Sequence, residues 1–260
     1  LSAESWVDQY HGLASPHPYL PLTKYFFFPG FKTKTGGLLR EKNLLVERDR
    51  LRQNAANWWT QHNLAIPDES ETVISLFCYD TAPISNLLEA WTNSSTPIHC
   101  IVPEGSILIP IRNWMKRSAV MAGDVIQQGK FVIQIIPFLP QEHCDQLLWL
   151  CDCNFVRGED SFVRAQWAAR PFVWQIYPQA ENVHYTKLEA FLNRYSQTLG
   201  EEAALAFCAF HHSWNKGERL DWNHFWEYHT IFRKHALDWS NQLAAIPDLA
   251  FNLVEFCKRQ

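Results

Sequence analysis

The sequence predicts an α/β fold organised on a parallel sheet, and three observations carry that reading. Apolar runs of strand type recur from residue 73 onward, continuous rather than alternating, as expected of strands covered on both faces. Amphipathic stretches of helical period lie between them. At the centre, an apolar run ends at Val156, Arg157-Gly158-Glu159-Asp160 forms a polar turn, a helical pattern runs from near Ser161 to Ala168, and residues 172–176 read as another strand. Strand, turn, helix, strand is a βαβ unit. Repeated alternation implies parallel pairing with right-handed crossovers, here a Rossmann-like domain from about residue 71 to 247.

Before that domain, Ser2 is placed to cap a short helix through Tyr10. The proline-rich Ser15-Pro16-His17-Pro18-Tyr19-Leu20-Pro21 fits neither a regular helix nor a central strand. Residues 25–31 are too apolar for an exposed loop and predict a buried strand ending at Pro29-Gly30, with an aromatic ligand wall as the other reading. Thr35-Gly36-Gly37 predicts a flexible turn and lacks the later Gly and Lys of a phosphate loop. Leu44, Leu45, Leu51, Ala55, Trp58 and Trp59 recur at helical spacing and predict one helix over 41–63. Residues 66–71 form a polar linker and the best domain boundary.

Within the domain the expected strands are 73–79, 98–103, 131–138, 154–156 and 172–176. The expected helices are 84–92, 141–151, 161–168 and 185–195. Residues Trp222, Phe225, Trp226, Tyr228, His229 and Phe232 fit one helix with an aromatic stripe. His211, His212, His224, His229 and His235 lack the i, i+4 pairing of a helical zinc site and read as core. Asp248 is an N-cap candidate for a terminal helix over 249–258.

Composition narrows the function. The chain has 260 residues, 47% of them hydrophobic, with net charge -4 and no basic block, so a nucleic-acid surface is not indicated. No apolar run reaches the ~18 residues of a membrane span, and no signal-peptide pattern is present. Seven cysteines in apolar surroundings, without paired CxxC spacing, read as reduced thiols of a cytoplasmic protein. Cys151-Asp152-Cys153 has no second ligand pair, so no metal is expected. Twelve tryptophans suit sugar or base platforms as well as a core.

In an open parallel sheet the ligand binds outside the carboxyl ends of the strands. Those ends carry Phe77 and Tyr79, then Phe138 and Gln141, then Arg157, Glu159, Asp160 and Ser161. A helix N-terminus and an arginine fork favour phosphate. The two carboxylates of the same turn point to sugar hydroxyls or a proton. Rings, amide, arginine and acids together suit a nucleotide diphosphate-sugar. Each residue also has a plainer reading: Asp160 or Ser161 as N-cap, Glu159 as dipole partner, Arg157 as a surface ion pair, Phe77 and Phe138 as core.

The run from Asn154 through Val156-Arg157-Gly158-Glu159-Asp160-Ser161-Phe162-Val163-Arg164-Ala165-Gln166-Trp167-Ala168 to Arg170-Pro171-Phe172-Val173-Trp174 and Ile176-Tyr177-Pro178-Gln179 resembles the elongation factor P arginine rhamnosyltransferases. So do Leu22-Thr23-Lys24-Tyr25-Phe26-Phe27-Phe28-Pro29-Gly30-Phe31 and Thr35-Gly36-Gly37-Leu38-Leu39-Arg40-Glu41. The resemblance implies a two-domain glycosyltransferase-B fold with no metal or cofactor. It implies inverting transfer of L-rhamnose from dTDP-β-L-rhamnose to one arginine of elongation factor P, with no nucleic-acid or membrane partner. Phe138 would then stack on thymine, and Phe77, Tyr79 and Gln141 would line the nucleotide pocket. Arg157, Asp160 and Ser161 would hold ribose and diphosphate, and Glu159 would lie near the sugar as the one candidate base in this chain. The family's Asp-Asn-x-Gly-Asp type motif, whose aspartate is the expected base, does not occur in this sequence. The resemblance therefore implies that residues 1–70 are the end of a first domain and its linker, 71–247 the donor-binding domain, and 248–260 a helix returning to the first domain. Two other readings stay open: a glycosyltransferase-B enzyme with another acceptor, and an inactive nucleotide-sugar-binding or docking module.

Overall fold

The computed structural model describes residues 1 to 260. The chain opens with α1 (Ser5–Tyr10) and an antiparallel hairpin of β1 (Ala14–Pro16) and β2 (Thr23–Tyr25). Helices α2 (Leu44–Gln53) and α3 (Ala55–Gln61) precede an exposed segment. Strands and helices then alternate: β3 (Thr72–Leu76), α4 (Ile84–Thr92), β4 (Ile98–Pro103), α5 (Leu108–Met115), β5 (Val125–Gln128), β6 (Phe131–Ile136), α6 (Gln141–Leu150), β7 (Cys153–Arg157), α7 (Asp160–Trp167) and β8 (Phe172–Gln175). The last part is helical: α8 (Val183–Tyr195), α9 (Glu201–Lys216), α10 (Trp222–Glu227), α11 (His229–Ala244) and α12 (Leu249–Lys258).

The main sheet has the order β5-β6-β4-β3-β7-β8, and every pairing is parallel except β5 with β6. Every residue of β3, β4 and β8 is buried, which explains why these strands read as continuous apolar runs. Edge strand β5 buries Ile126 alone, so no apolar run marks it in the sequence. In the main core, Phe155 of β7 is met edge-on by Trp91 at 5.5 Å and Trp214 at 5.0 Å between ring centroids. The tryptophans thus largely fill the interior, where large rings remove the most apolar area from water.

A second cluster joins Trp58, Trp59 and Leu64 to Val73, Ile101, Ile136 and Leu147. Helix α3 therefore shares a core with the sheet, across the exposed residues 66–71. At the other end of the chain, Leu249 N donates to Leu38 O at 3.0 Å, Asn252 Nδ2 donates to Gly36 O at 3.0 Å, and Phe256 packs on Phe27 at 5.2 Å. Helix α12 is thereby fastened to residues 27–38.

Several local expectations are corrected. Residues 25–31 are not a buried strand: strand pairing stops at Tyr25, and Phe26 is exposed. The following rings seat on helices instead, Phe28 edge-on to Trp6 and Phe27 on Phe256. The Gly36-Gly37 turn is buried rather than flexible. Gly37 has φ +75°, and a Cβ there would meet Pro247 O at 2.6 Å, so neither conformation nor space admits a side chain. The helix expected over 41–63 breaks at Asn54, where φ -137° and ψ 48° leave the helical region, and the aromatic stripe breaks at Tyr228. Helices α5 and α9 are additions. His211 of α9 is fully buried, donates from Nδ1 to Phe207 O (2.9 Å), and is held neutral by burial, with its pKa pushed down to about 3.

Helix α7 is held at both ends and along its inner face. Phe162 stacks on Trp174 at 3.9 Å and meets Phe191 edge-on at 4.7 Å. At its carboxyl end, Arg48 Nη1 donates to Trp167 O at 2.9 Å and Arg52 Nη2 donates to Ala168 O, so α2 supplies cations where the helix dipole is negative. Phe162→Ala is expected to lower unfolding free energy by about 3–5 kcal/mol, measured by urea denaturation, because it leaves a cavity beneath this helix.

Candidate functional site

A cleft of about 790 Å³ opens at the carboxyl ends of β4, β6, β3 and β7. All eight residues singled out in the sequence line it: Phe77, Tyr79, Phe138, Gln141, Arg157, Glu159, Asp160 and Ser161. Pro103, Cys144 and Arg164 join them. A second depression of about 740 Å³ lies at the amino ends of the strands, around Thr72, Asp152 and Pro171. It is on the wrong side of a parallel sheet for the ligand geometry that such folds use.

The turn after β7 is shaped by hydrogen bonds to its own backbone. Ser161 Oγ accepts from Arg157 N at 3.1 Å and donates to Arg157 O. Gly158 has φ +64°, its N donates to Gln175 O at 3.1 Å, and its O accepts from Trp174 Nε1 at 2.6 Å. The left-handed backbone favours glycine at 158, and a Cβ there would also crowd the Tyr79 hydroxyl at 3.0 Å. The plainer reading of Asp160 or Ser161 as N-cap does not hold: no side chain caps α7. Its first N–H groups have neither an intrahelical nor a side-chain acceptor, the arrangement that suits an anion. Ser161 acts by holding the turn, and its hydroxyl is committed to the backbone.

Arg157 lies over two rings, its guanidinium carbon 4.4 Å from the Phe77 centroid and 4.6 Å from that of Tyr79. Neither aromatic is simple core packing. They hold a cation at the helix start, where desolvated contact with ring faces stabilises it. Tyr79 N in turn donates to Gln175 Oε1 at 2.7 Å, which ties its loop to β8. Phe138 is different: at 68% exposure it presents an open ring at the cleft mouth. That leaves Phe138 as the ring free to stack on a planar ligand.

The acids are arranged as two groups. Glu159 pairs with Lys187 of α8. Burial pushes its pKa up, and the Lys187 hydrogen bond and charge oppose this. Asp160 Oδ1 is 3.8 Å from Arg164 Nε, one turn along α7. Arg164 Nη1 also donates to Glu41 at 2.7 Å and to Asp145 Oδ2 at 3.1 Å. Asp145 is the buried member: burial raises its pKa to about 6, Arg164 and the Gln141 hydrogen bond oppose this, and Glu41 and Asp160 add to it.

Asp145, Arg164, Gln175 and Lys187 were not singled out by sequence reasoning. The first two had a legible signal, since Gln141–Asp145 and Asp160–Arg164 are i, i+4 pairs on helices. Lys187 reaches Glu159 only through tertiary packing.

The comparisons decide the family. A family model described as elongation factor P (EF-P) rhamnosyltransferase EarP matches residues 1–258. The chain belongs to the EarP family. It is 43% identical over 260 residues to a protein-arginine rhamnosyltransferase of Pseudomonas putida, covering 98% of this chain and 69% of that protein. The Pseudomonas aeruginosa protein of the same name is 40% identical over the same shares. A solved structure described as the basis for EarP-mediated arginine glycosylation of translation elongation factor EF-P superposes with TM-score 0.83 at 37% identity, covering 90% of this chain and 76% of that one. The glycosyltransferase-B fold expected of this EarP chain is thus its fold, and no helix is long and apolar enough to cross a membrane.

The Asp145 carboxyl has a consequence for stability. A carboxyl whose pKa rises on folding, from 3.8 to about 6, stabilises the native state fully below about pH 4, and that contribution is lost as pH rises through about 6. Asp145→Asn is therefore expected to match wild type near pH 4 and to exceed it by up to about 2–3 kcal/mol near pH 8, as read from denaturation midpoints at the two pH values.

Proposed function

We propose that this EarP-family chain is the part of a protein-arginine rhamnosyltransferase that holds dTDP-β-L-rhamnose while an arginine of EF-P takes the sugar. The observation that carries the reading is the convergence of an open ring, a held arginine and an uncapped helix N-terminus in one cleft. Family membership supplies the acceptor and the transferred sugar. The cleft's ring, arginine and open helix N-terminus support a nucleoside diphosphate form of the donor.

Phe138 stacks on the base, with Gln141 beside it. The diphosphate meets Arg157 and the first N–H groups of α7, which carry fixed positive charge toward the leaving group. Phe77 and Tyr79 keep Arg157 in place. Asp160 accepts from ribose hydroxyls, and Ser161 fixes the turn that aims both. In the transfer, a guanidinium nitrogen attacks the anomeric carbon, the bond from that carbon to the diphosphate oxygen breaks, and a proton leaves the nitrogen. A carboxylate must orient the guanidinium and take that proton. Glu159 is held ionised by Lys187, so it is suited to orienting a cation or sugar hydroxyl and is a weak proton acceptor. The seven thiols, all free, fit action in the cytoplasm, where the elongation factor works.

The test is direct. Incubation of the enzyme that contains this chain with EF-P and dTDP-β-L-rhamnose should add one deoxyhexose to one arginine, read by mass spectrometry of the peptides. Transfer from another nucleotide sugar, with none from the thymidine donor, would sink the donor assignment. Arg157→Ala should weaken dTDP binding and lower kcat/KM by about ten- to hundredfold, the range for a lost hydrogen bond to a charged group. Glu159→Gln should lower kcat with little change in dTDP affinity; unchanged turnover would remove Glu159 from the reacting centre.

A further inference from the structure

Beside the cleft lies a carboxylate that none of these roles uses. Asp145 sits on α6 with its side chain only 10% exposed. Burying an acid costs free energy unless hydrogen bonds offset it. Here there are two: Arg164 Nη1 donates to Oδ2 at 3.1 Å, and Gln141 Nε2 donates to Oδ1 at 3.1 Å. Arg164 is itself fixed by both oxygens of Glu41, at 2.7 and 2.8 Å, so it cannot swing away from Asp145 at little cost. An ionised carboxylate only accepts. Gln141 must therefore turn its amide nitrogen toward Asp145. Its carbonyl oxygen is left as the free end of the amide, in a side chain that lines the cleft three residues from Phe138.

We infer that Asp145 is a positioning residue for base selection: it fixes the Gln141 amide so that the donor site offers a base a hydrogen-bond acceptor. The inference rests on the reading of the cleft as a pyrimidine nucleotide site with Phe138 as stacking ring. Thymine and uracil present an imide N–H that such an acceptor takes. Cytosine presents a bare ring nitrogen at that position, which would face the oxygen lone pairs. A site built to hydrogen-bond one edge rejects the other because two acceptors are left opposed. With Asp145 replaced by asparagine, its amide oxygen must face Arg164, which only donates, so its N–H2 takes the Gln141 carbonyl; Gln141 then turns its own N–H2 toward the base, and the preference for the imide N–H falls.

The experiment is calorimetric titration of dTDP and dCDP into the wild type, Asp145→Asn, Gln141→Leu and the double variant. Asp145→Asn removes a carboxylate whose ionisation burial opposes, and Gln141 is exposed, so both variants should fold. Asp145→Asn should reduce the preference for dTDP over dCDP about tenfold, the scale of one hydrogen bond. Gln141→Leu should lose the preference to a similar extent, and adding D145N to it should change nothing further. A merely structural Asp145 would weaken both nucleotides alike, or would act equally with Q141L present; either result overturns the inference. A preference that survives Q141L overturns it whatever D145N does. A folded wild type that binds no dTDP overturns the nucleotide reading and this inference with it, whereas dTDP binding with an unmoved ratio overturns the inference alone.

Discussion

The chemistry of this molecule depends on how β7 turns into α7. Five residues must leave a buried strand, reverse toward the cleft and start a helix without capping it. The turn achieves this by spending its polar side chain on its own backbone: the Ser161 hydroxyl bridges N and O of Arg157. Gly158 supplies the left-handed residue, and Trp174 and Gln175 of the neighbouring strand hold its O and N. With those groups satisfied, the first N–H groups of α7 remain open for a ligand anion. An Asp or Ser cap at the same place would have stabilised the helix by about 1 kcal/mol and closed the site.

The rest of the fold keeps that turn stationary. Phe162 anchors the first turn of α7 on Trp174 and Phe191, and Arg48 and Arg52 take the last carbonyls. Those arginines come from α2, and Glu41, just before α2, clamps Arg164 on the same helix. The segment before residue 66 is therefore bound to the walls of the cleft through charge-assisted hydrogen bonds as well as through the Trp58 and Trp59 core. Such bonds are shorter and stronger than neutral ones. Movement of the residues around α2 would be felt at both ends of α7.

Charge in the cleft is separated by function. Arg157 is held on ring faces, away from every carboxylate within bonding reach, so its full charge is available to a phosphate. The carboxylates are each matched with another cation, Glu159 with Lys187 and Asp145, Asp160 and Glu41 with Arg164. Glu159 has a cation of its own in Lys187, whereas Asp145, Asp160 and Glu41 share the single charge of Arg164, so the negative charge of the cleft is concentrated around Arg164 and away from Arg157.

The sequence by itself determined the alternation of strands and helices, the parallel sheet and the eight cleft residues. Those features follow from local rules: continuous apolar runs for strands buried on both faces, and ligand residues at strand carboxyl ends. It misread residues 25–31 and the stretches 41–63 and 222–232, because apolarity signals burial without saying whether a strand or a helix face provides it. It missed β5, where only Ile126 is buried. Only the tertiary structure decided the roles inside the cleft: Phe77 and Tyr79 holding Arg157, Phe138 standing open, Ser161 locking the turn, and Lys187 reaching Glu159. A residue's type fixes what it can bond. Which partner it bonds depends on segments far apart in the chain arriving within about 3 Å of one another, and that distance is set by packing.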